Sequence, residues 1–385
     1  MNNETIYLDH AAATPVDARV IAVMQPYLSD SFYNPSSSYL LAVSVKNSYN
    51  EAKHKIASLI GARPGEIIIT AGATESINLA FWGTKGHVIT SNIEHPAVLA
   101  SAENRVHSIV KSDSKGLVSA DIIKVAIRPN TQLISIALVN NEIGTIQPIR
   151  DIAIMIKNVR DARLMSGDKT PIYLHVDASQ GAAQLDVNVA RLGVDMLTLS
   201  AGKIYGPKQI GLLYAASHVQ LKPLIVGGGQ ENGLRSGTEN VAGTVGFARA
   251  FELISQHRKY ESERLVKLRN NLQQVLTTAF TNAVVSGHPK HRLANYLNIS
   301  FPGLDGERLL ILLDNRGVLV ATGSACSANK GTRSHVLTAI GLSDEVADGS
   351  IRITLGHLST SENTKLAGEI MVEEIKREYE RVGLC

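Results

Sequence analysis

Cysteine is scarce in this chain, with two among 385 residues, Cys326 and Cys385. No disulfide framework can hold the fold, so Cys326 is available as a working thiol, against the commoner fate of a free cysteine as a small core hydrophobe. An excess of either charge is missing too: 38 Lys+Arg face 35 Asp+Glu, for a net charge of +3. Without a concentrated basic stripe, direct nucleic-acid binding is not expected. Long apolar runs are absent. Stretches such as Leu133 to Val139 are far too short to cross a bilayer, and Met1-Asn-Asn-Glu-Thr5 has neither the basic nor the apolar region of a signal peptide. The expectation is a soluble cytoplasmic protein with no membrane contact, no internal repeats and no metal site.

What is present is apolar content, 44% of the chain, enough for one large domain and a smaller one. From about residue 16 to 258, short apolar runs alternate with longer helical patterns, as βαβ units do when they build a mostly parallel sheet. Each run ends in polar residues. Glu66 to Thr70 precedes Gly72-Ala73-Thr74, His87 to Thr90 precedes Asn92 to His95, and Leu133 to Val139 precedes Asn140-Asn141-Glu142. Ile172 to Val176 leads into Asp177, and Met196 to Ser200 into Lys203. In open α/β sheets ligands sit outside the carboxyl ends of the strands, where all these polar residues fall.

After Gly243 comes a charged amphipathic stretch, Phe251 to Ala279, followed by short strand-like segments at Asn298 to Ser300, Gly317 to Val320 and Ile351 to Thr354. These predict a smaller α+β domain. The expected division gives residues 16–258 to the large domain, and residues 1–15 with 259–385 to the small one, although no Pro/Gly-rich linker marks the boundary.

Asp177 and Lys203 thus lie at two strand ends and can offer a carboxylate and an amine to one ligand. That pairing suits pyridoxal 5'-phosphate (PLP). A lysine amine condenses with its aldehyde, and a carboxylate at the ring nitrogen keeps the pyridinium protonated so that the ring accepts electrons. Either residue alone is more often a turn residue or a solvated charge. The stretch Ile67 to Ala80 reads as strand, glycine turn and helix, so Gly72-Ala73-Thr74 can present backbone N–H groups to a phosphate, although Thr74 can equally cap the helix. Other nucleotide motifs fail. Lys203 is followed by Ile204 rather than Ser or Thr, and Gly227-Gly228-Gly229 continues as Gln230-Glu231-Asn232.

Across nearly the whole chain, ordered blocks of residues resemble the cysteine desulfurase family of class V, fold-type I PLP enzymes. They are Tyr7 to Pro15, Ala71 to Ser76, Val139 to Gly144, His175 to Gln180, Lys203 to Lys208, Arg235 to Thr238, Gly323 to Cys326 and Ser350 to Arg352. The resemblance implies that Lys203 carries the cofactor, Asp177 meets the pyridine nitrogen, Gln180 bonds the ring hydroxyl and His95 stacks on the ring. It places Ala73, Thr74 and Ser200 at the phosphate, with Thr238 arriving from the neighbouring subunit of a homodimer. Arg352 takes the substrate carboxylate in a fork, and Asn141 and Asn34 line the substrate side.

The Gly/Ser/Ala-rich loop Ala321 to Gly331 lacks core periodicity, which favours a nucleophilic Cys326 over a packed one. By the resemblance, its thiolate takes sulfur from bound L-cysteine, leaving alanine and a Cys326 persulfide for delivery to an acceptor or scaffold protein, in iron–sulfur assembly or tRNA thiolation. An aminotransferase, selenocysteine lyase or racemase of the same class shares Lys203 and Asp177 but does not require Cys326. A binding or scaffolding protein on the same fold is a further alternative. Two positions depart from the family pattern: Gly202 stands where His usually precedes the lysine, removing a phosphate-side contact, and Tyr39 stands where His is common.

Overall fold

The computed structural model describes residues 5–323 and 333–384. After a short β1 (Ile6–Tyr7), seven strands build the main sheet: β2 (Ile67–Thr70), β3 (His87–Ser91), β4 (His107–Val110), β5 (Thr131–Ala137), β6 (Tyr173–Asp177), β7 (Met196–Ser200) and β8 (Gly211–Ala215). Their order is β2-β8-β7-β6-β5-β3-β4. The strands from β4 to β7 run parallel, and β8 is antiparallel to both of its neighbours. The sequence runs are continuously apolar because helices cover both faces of the sheet. Successive residues go to opposite cores: Leu197 and Leu199 pack into one and Met196 into the other.

Parallel strands put Ser91, Ala137, Asp177 and Ser200 at one edge of the sheet. The start of β8 meets that edge from the opposite direction. A β-carbon on Gly211 would lie 2.6 Å from the Leu199 carbonyl oxygen and 2.8 Å from Gly72, so the close approach requires glycine.

The smaller unit has an antiparallel sheet of β9 (Val284–Ser286), β10 (Tyr296–Ser300) and β12 (Ser350–Thr354), while β1 pairs in parallel with β11 (Val318–Leu319). Leu297, Ile299, Ile351 and Ile353 share a second core with Met371 and Ile375 of the helix Ser361–Val382. The 39-residue helix Val241–Ala279 serves both units. Phe247, Phe251 and Ile254 enter the first core, and Leu265, Leu272 and Leu276 the second. The helix passes residue 258 without a break, which explains the missing linker. The architecture is α/β, a mostly parallel sheet beside a smaller α+β unit. The sequence pattern does not show β1, β4, β8 or β9, and it starts the long helix ten residues late.

Candidate active site

Asp177 is the last residue of β6, held between Ala137 and Thr198 by strand pairing. One carboxylate oxygen accepts from the Ser179 N–H at 3.0 Å and from its hydroxyl at 2.6 Å. Those bonds fix the carboxylate without consuming its second oxygen. Lys203 lies in a 3₁₀ turn after β7, and its Nζ donates to the carbonyls of Ala11 at 2.8 Å and Ala12 at 2.6 Å. The Ala11 carbonyl also accepts from Gln180 Nε2 at 3.1 Å, so the N-terminal turn ties two of the expected site residues together.

His95 caps the helix Pro96–Glu103, its Nδ1 accepting from the Ala97 N–H at 3.1 Å. The neutral ring therefore carries its proton on Nε2. Burial pushes its pKa below the usual histidine value; Asp177 opposes that shift and Lys203 adds to it. An acid, an amine and an aromatic ring thus share one electrostatic environment at adjoining strand ends, the set that a protonated pyridine with a reactive aldehyde needs.

The phosphate end of such a cofactor is also provided for. The helix Ala73–Gly83 has Gly72 as its N-cap, at φ 148°, with no side chain capping it. Thr74 is exposed rather than a cap, so the first N–H groups of the helix lack partners within it. Glu75 turns away from the opening, accepting from the Ala71 N–H and from Arg235 Nε, both at 2.9 Å. Ser200 ends β7, and a β-carbon on Gly202 would lie 4.0 Å from its hydroxyl. These features fit PLP: Lys203 would hold its aldehyde end, Asp177 its ring nitrogen, and the Gly72–Thr74 turn with Ser200 its phosphate.

Arg352, on β12, is 3% exposed at its side chain and reaches out of the small unit. Its Nη2 lies 2.7 Å from an Asp9 carboxylate oxygen and its Nη1 donates to the Asn141 carbonyl at 3.1 Å, while Nε has no partner. Asn140 builds the turn that presents Asn141. Its side chain donates to the Ile93 carbonyl and accepts from the N–H groups of Glu142 and Ile143. Asn34 and Thr238 are both exposed. Asn34 closes a local turn on the Ser36 N–H, and neither residue has a described contact with Lys203 or Asp177 in the single chain. Cys326 lies outside the described residues.

Four contributors escaped sequence reading. Asp9 pairs with Arg352. Tyr296, fully buried, donates to Gln180 Oε1 at 2.8 Å, and Gly144 packs so tightly on the base of its side chain that a β-carbon would come within 2.4 Å of Tyr296 Cβ. Glu142, also buried, accepts from the Ser334 hydroxyl and keeps its other oxygen unpartnered. Glu94 accepts from the Ser91 hydroxyl and the Ala137 N–H, and burial pushes its pKa up to about 8. Asp9 and Glu142 stood inside the motifs already singled out. Glu94 stood in the polar stretch Asn92 to His95 after its strand, whereas Tyr296 gave no signal beyond residue type.

The aminotransferase class-V family model matches residues 6–366. Among curated relatives, the cysteine desulfurase IscS of Dictyoglomus turgidum is 41% identical, covering 97% of this chain and 95% of its own. That of Methanosarcina thermophila is 40% identical, covering 97% and 93%. Among solved structures, a NifS-like protein superposes with TM-score 0.88 at 33% identity, covering 97% of this chain and all of its own. SspA in complex with cysteine gives TM-score 0.76 at 39% identity, covering 91% and 99%. The converging strand ends and these likenesses lead to one statement: the chain belongs to the class-V aminotransferase family of PLP-dependent enzymes.

Proposed function

We propose that this enzyme is a cysteine desulfurase, converting L-cysteine to L-alanine and passing the sulfur to Cys326 as a persulfide. The observation that carries the reading is the convergence of Asp177, Lys203 and His95 at adjoining strand ends, in a chain about 40% identical to relatives named cysteine desulfurase. When bound, PLP supplies an electron sink that labilises bonds at the substrate's α-carbon. The chain's own residues do the rest. Arg352 binds the substrate carboxylate, with Asn141 beside it, and the Lys203 amine is the base placed to move a proton. The Cys326 thiolate attacks the substrate's sulfur. An S–S bond forms as the C–S bond breaks, and the carbon fragment takes up protons to leave as alanine.

The functional unit we infer is a homodimer in which Thr238 completes the partner's phosphate site. Supporting this, Leu28, Phe32, Tyr39, Leu40 and Leu41 leave large apolar side chains in water, Leu40 at 86% exposure. We assign residues 16–258 to the cofactor domain and 1–15 with 259–385 to the domain carrying Cys326. A cytoplasmic location and delivery of sulfur to an acceptor or scaffold protein, in iron–sulfur assembly or tRNA thiolation, complete the proposal. No described helix is long and apolar enough to cross a membrane. Incubation with cysteine and a reductant, measuring alanine and sulfide together, tests the reaction: equal release supports it, and alanine-free turnover to pyruvate or a keto acid rejects it.

A further inference from the structure

Away from the cofactor crevice, a cavity of about 610 Å³ lies where the two units meet. Its walls come from the long helix (Arg269, Gln273), from β9 and the turn after it (Ser286, Arg292), and from Lys115 and Leu342. No carboxylate lines it among the described residues. Arg269 is 7% exposed and spends two donors, Nε on the Asn270 side chain at 2.8 Å and Nη1 on the Tyr296 carbonyl at 3.2 Å. Arg292 spends one, Nη2 on Gln273 Oε1 at 2.8 Å. Arg269 Nη2 and Arg292 Nη1 have no hydrogen-bond partner among the described residues, and Arg292 Nε is buried without one. The Ser286 hydroxyl, on a residue 4% exposed, is also unpartnered.

Buried charges are ordinarily paired, and two guanidiniums that cannot shed their protons do not sit together without an acid at no cost. Burial, with the Arg269 charge adding to it, pulls Arg292 down to about 10. Neither arginine makes an ion pair with a described carboxylate. Asp113, two residues before Lys115, turns one carboxylate oxygen to the N–H groups of Lys115 and Leu117. What is missing from this arrangement is a negative charge with several acceptor oxygens, and the unspent donors match one: guanidinium forks suit tetrahedral oxyanions, and a hydroxyl and an ammonium complete the set. The volume is within the range of small-molecule sites.

We propose that this cavity binds a small anion bearing a phosphate or sulfate group, held between Arg269 and Arg292 with Ser286 and Lys115 beside it. The ligand braces the junction of the two units, because Arg269 belongs to the long helix and Arg292 to the turn leading into β10.

The test uses the holoenzyme, whose cofactor phosphate site is already filled, with inorganic phosphate and inorganic sulfate as probes against sodium chloride at equal ionic strength. At ten times its Kd, the preferred oxyanion should raise the Tm of the parent by about 2 °C or more. Arg292→Gln should lose that rise and, in oxyanion-free buffer, melt no lower than the parent, because a like-charge contact has gone. Lys115→Gln, at an exposed position without packing consequences, should weaken binding by about threefold in calorimetric titration. Three outcomes overturn the site: equal Tm rises in parent and Arg292→Gln, a lower-melting Arg292→Gln with unchanged oxyanion response, or no binding of either probe to the parent.

Discussion

Arg352 and Asp9, 343 positions apart, meet as an ion pair of 2.7 Å with the arginine almost wholly buried. The guanidinium expected to receive the substrate carboxylate is therefore already neutralised by the chain. Asp9→Asn leaves that charge uncompensated and should lower stability by about 3 kcal/mol. Added alanine, whose carboxylate can take Asp9's place, should restore part of the loss. Denaturant melts with and without alanine measure both; a variant as stable as the parent, or one indifferent to alanine, rejects the assignment.

Lys203→Ala should abolish the cofactor's visible absorption and cysteine turnover together, since the Lys203 amine is the one placed beside Asp177 and His95 among the described residues. An unchanged visible band after gel filtration contradicts it.

Gly202→His should tighten PLP binding by about tenfold, the value of one charge-assisted hydrogen bond. The backbone permits the change: Gly202 lies in an ordinary 3₁₀ turn, and its β-carbon would meet nothing nearer than Lys208 Cγ at 3.8 Å. Titration of apoprotein with PLP measures it, and equal or weaker affinity counts against a phosphate-side contact here.

Glu94 gives a pH signature. Its folded pKa of about 8 stands above the ordinary 4.5, so between those values the folded state holds a proton that the unfolded state releases. Its contribution is fully present below pH 4.5 and lost as pH rises through about 8. His10 and His175, held near 4 by burial, act in the opposite direction below about pH 6.5, so the comparison is between variants. Glu94→Gln should flatten the decline in urea midpoint between pH 5 and 8, gaining on the parent at the alkaline end. Parallel curves for the two proteins contradict the raised pKa.

Cys326→Ala should keep PLP and bind cysteine but lose persulfide, because the cofactor contacts lie on other elements and the thiolate is the sulfur acceptor. Mass spectrometry of cysteine-treated parent should place the extra sulfur on the peptide holding Cys326. Alanine and sulfide release at the parent rate in the variant rejects the nucleophile.

Much of this was legible in the sequence because parallel strands announce themselves as apolar runs ending in polar residues. Asp177, His95 and Lys203 stood at such ends, and the fold brought them together. β8 was missed because Gly211 to Ala215 is as apolar as its neighbours but carries no chemistry at the relevant edge, and direction cannot be read from composition. Asp9 and Tyr296 were missed for another reason. Their partners, Arg352 and Gln180, are far away in sequence: the N-terminal segment reaches Arg352 only by bridging to β12 within the small unit, and Tyr296 meets Gln180 only where the small unit docks on the large one.

The helix Val241–Ala279 is about 58 Å of unbroken rod at 1.5 Å per residue, clamped at one end by phenylalanines of the first core and at the other by leucines of the second. It acts as a beam rather than a hinge. The small unit that carries Arg352 and the first core therefore share one continuous element, so substitutions that loosen Phe247 or Phe251 act on the same rod that positions the strand of Arg352's neighbours.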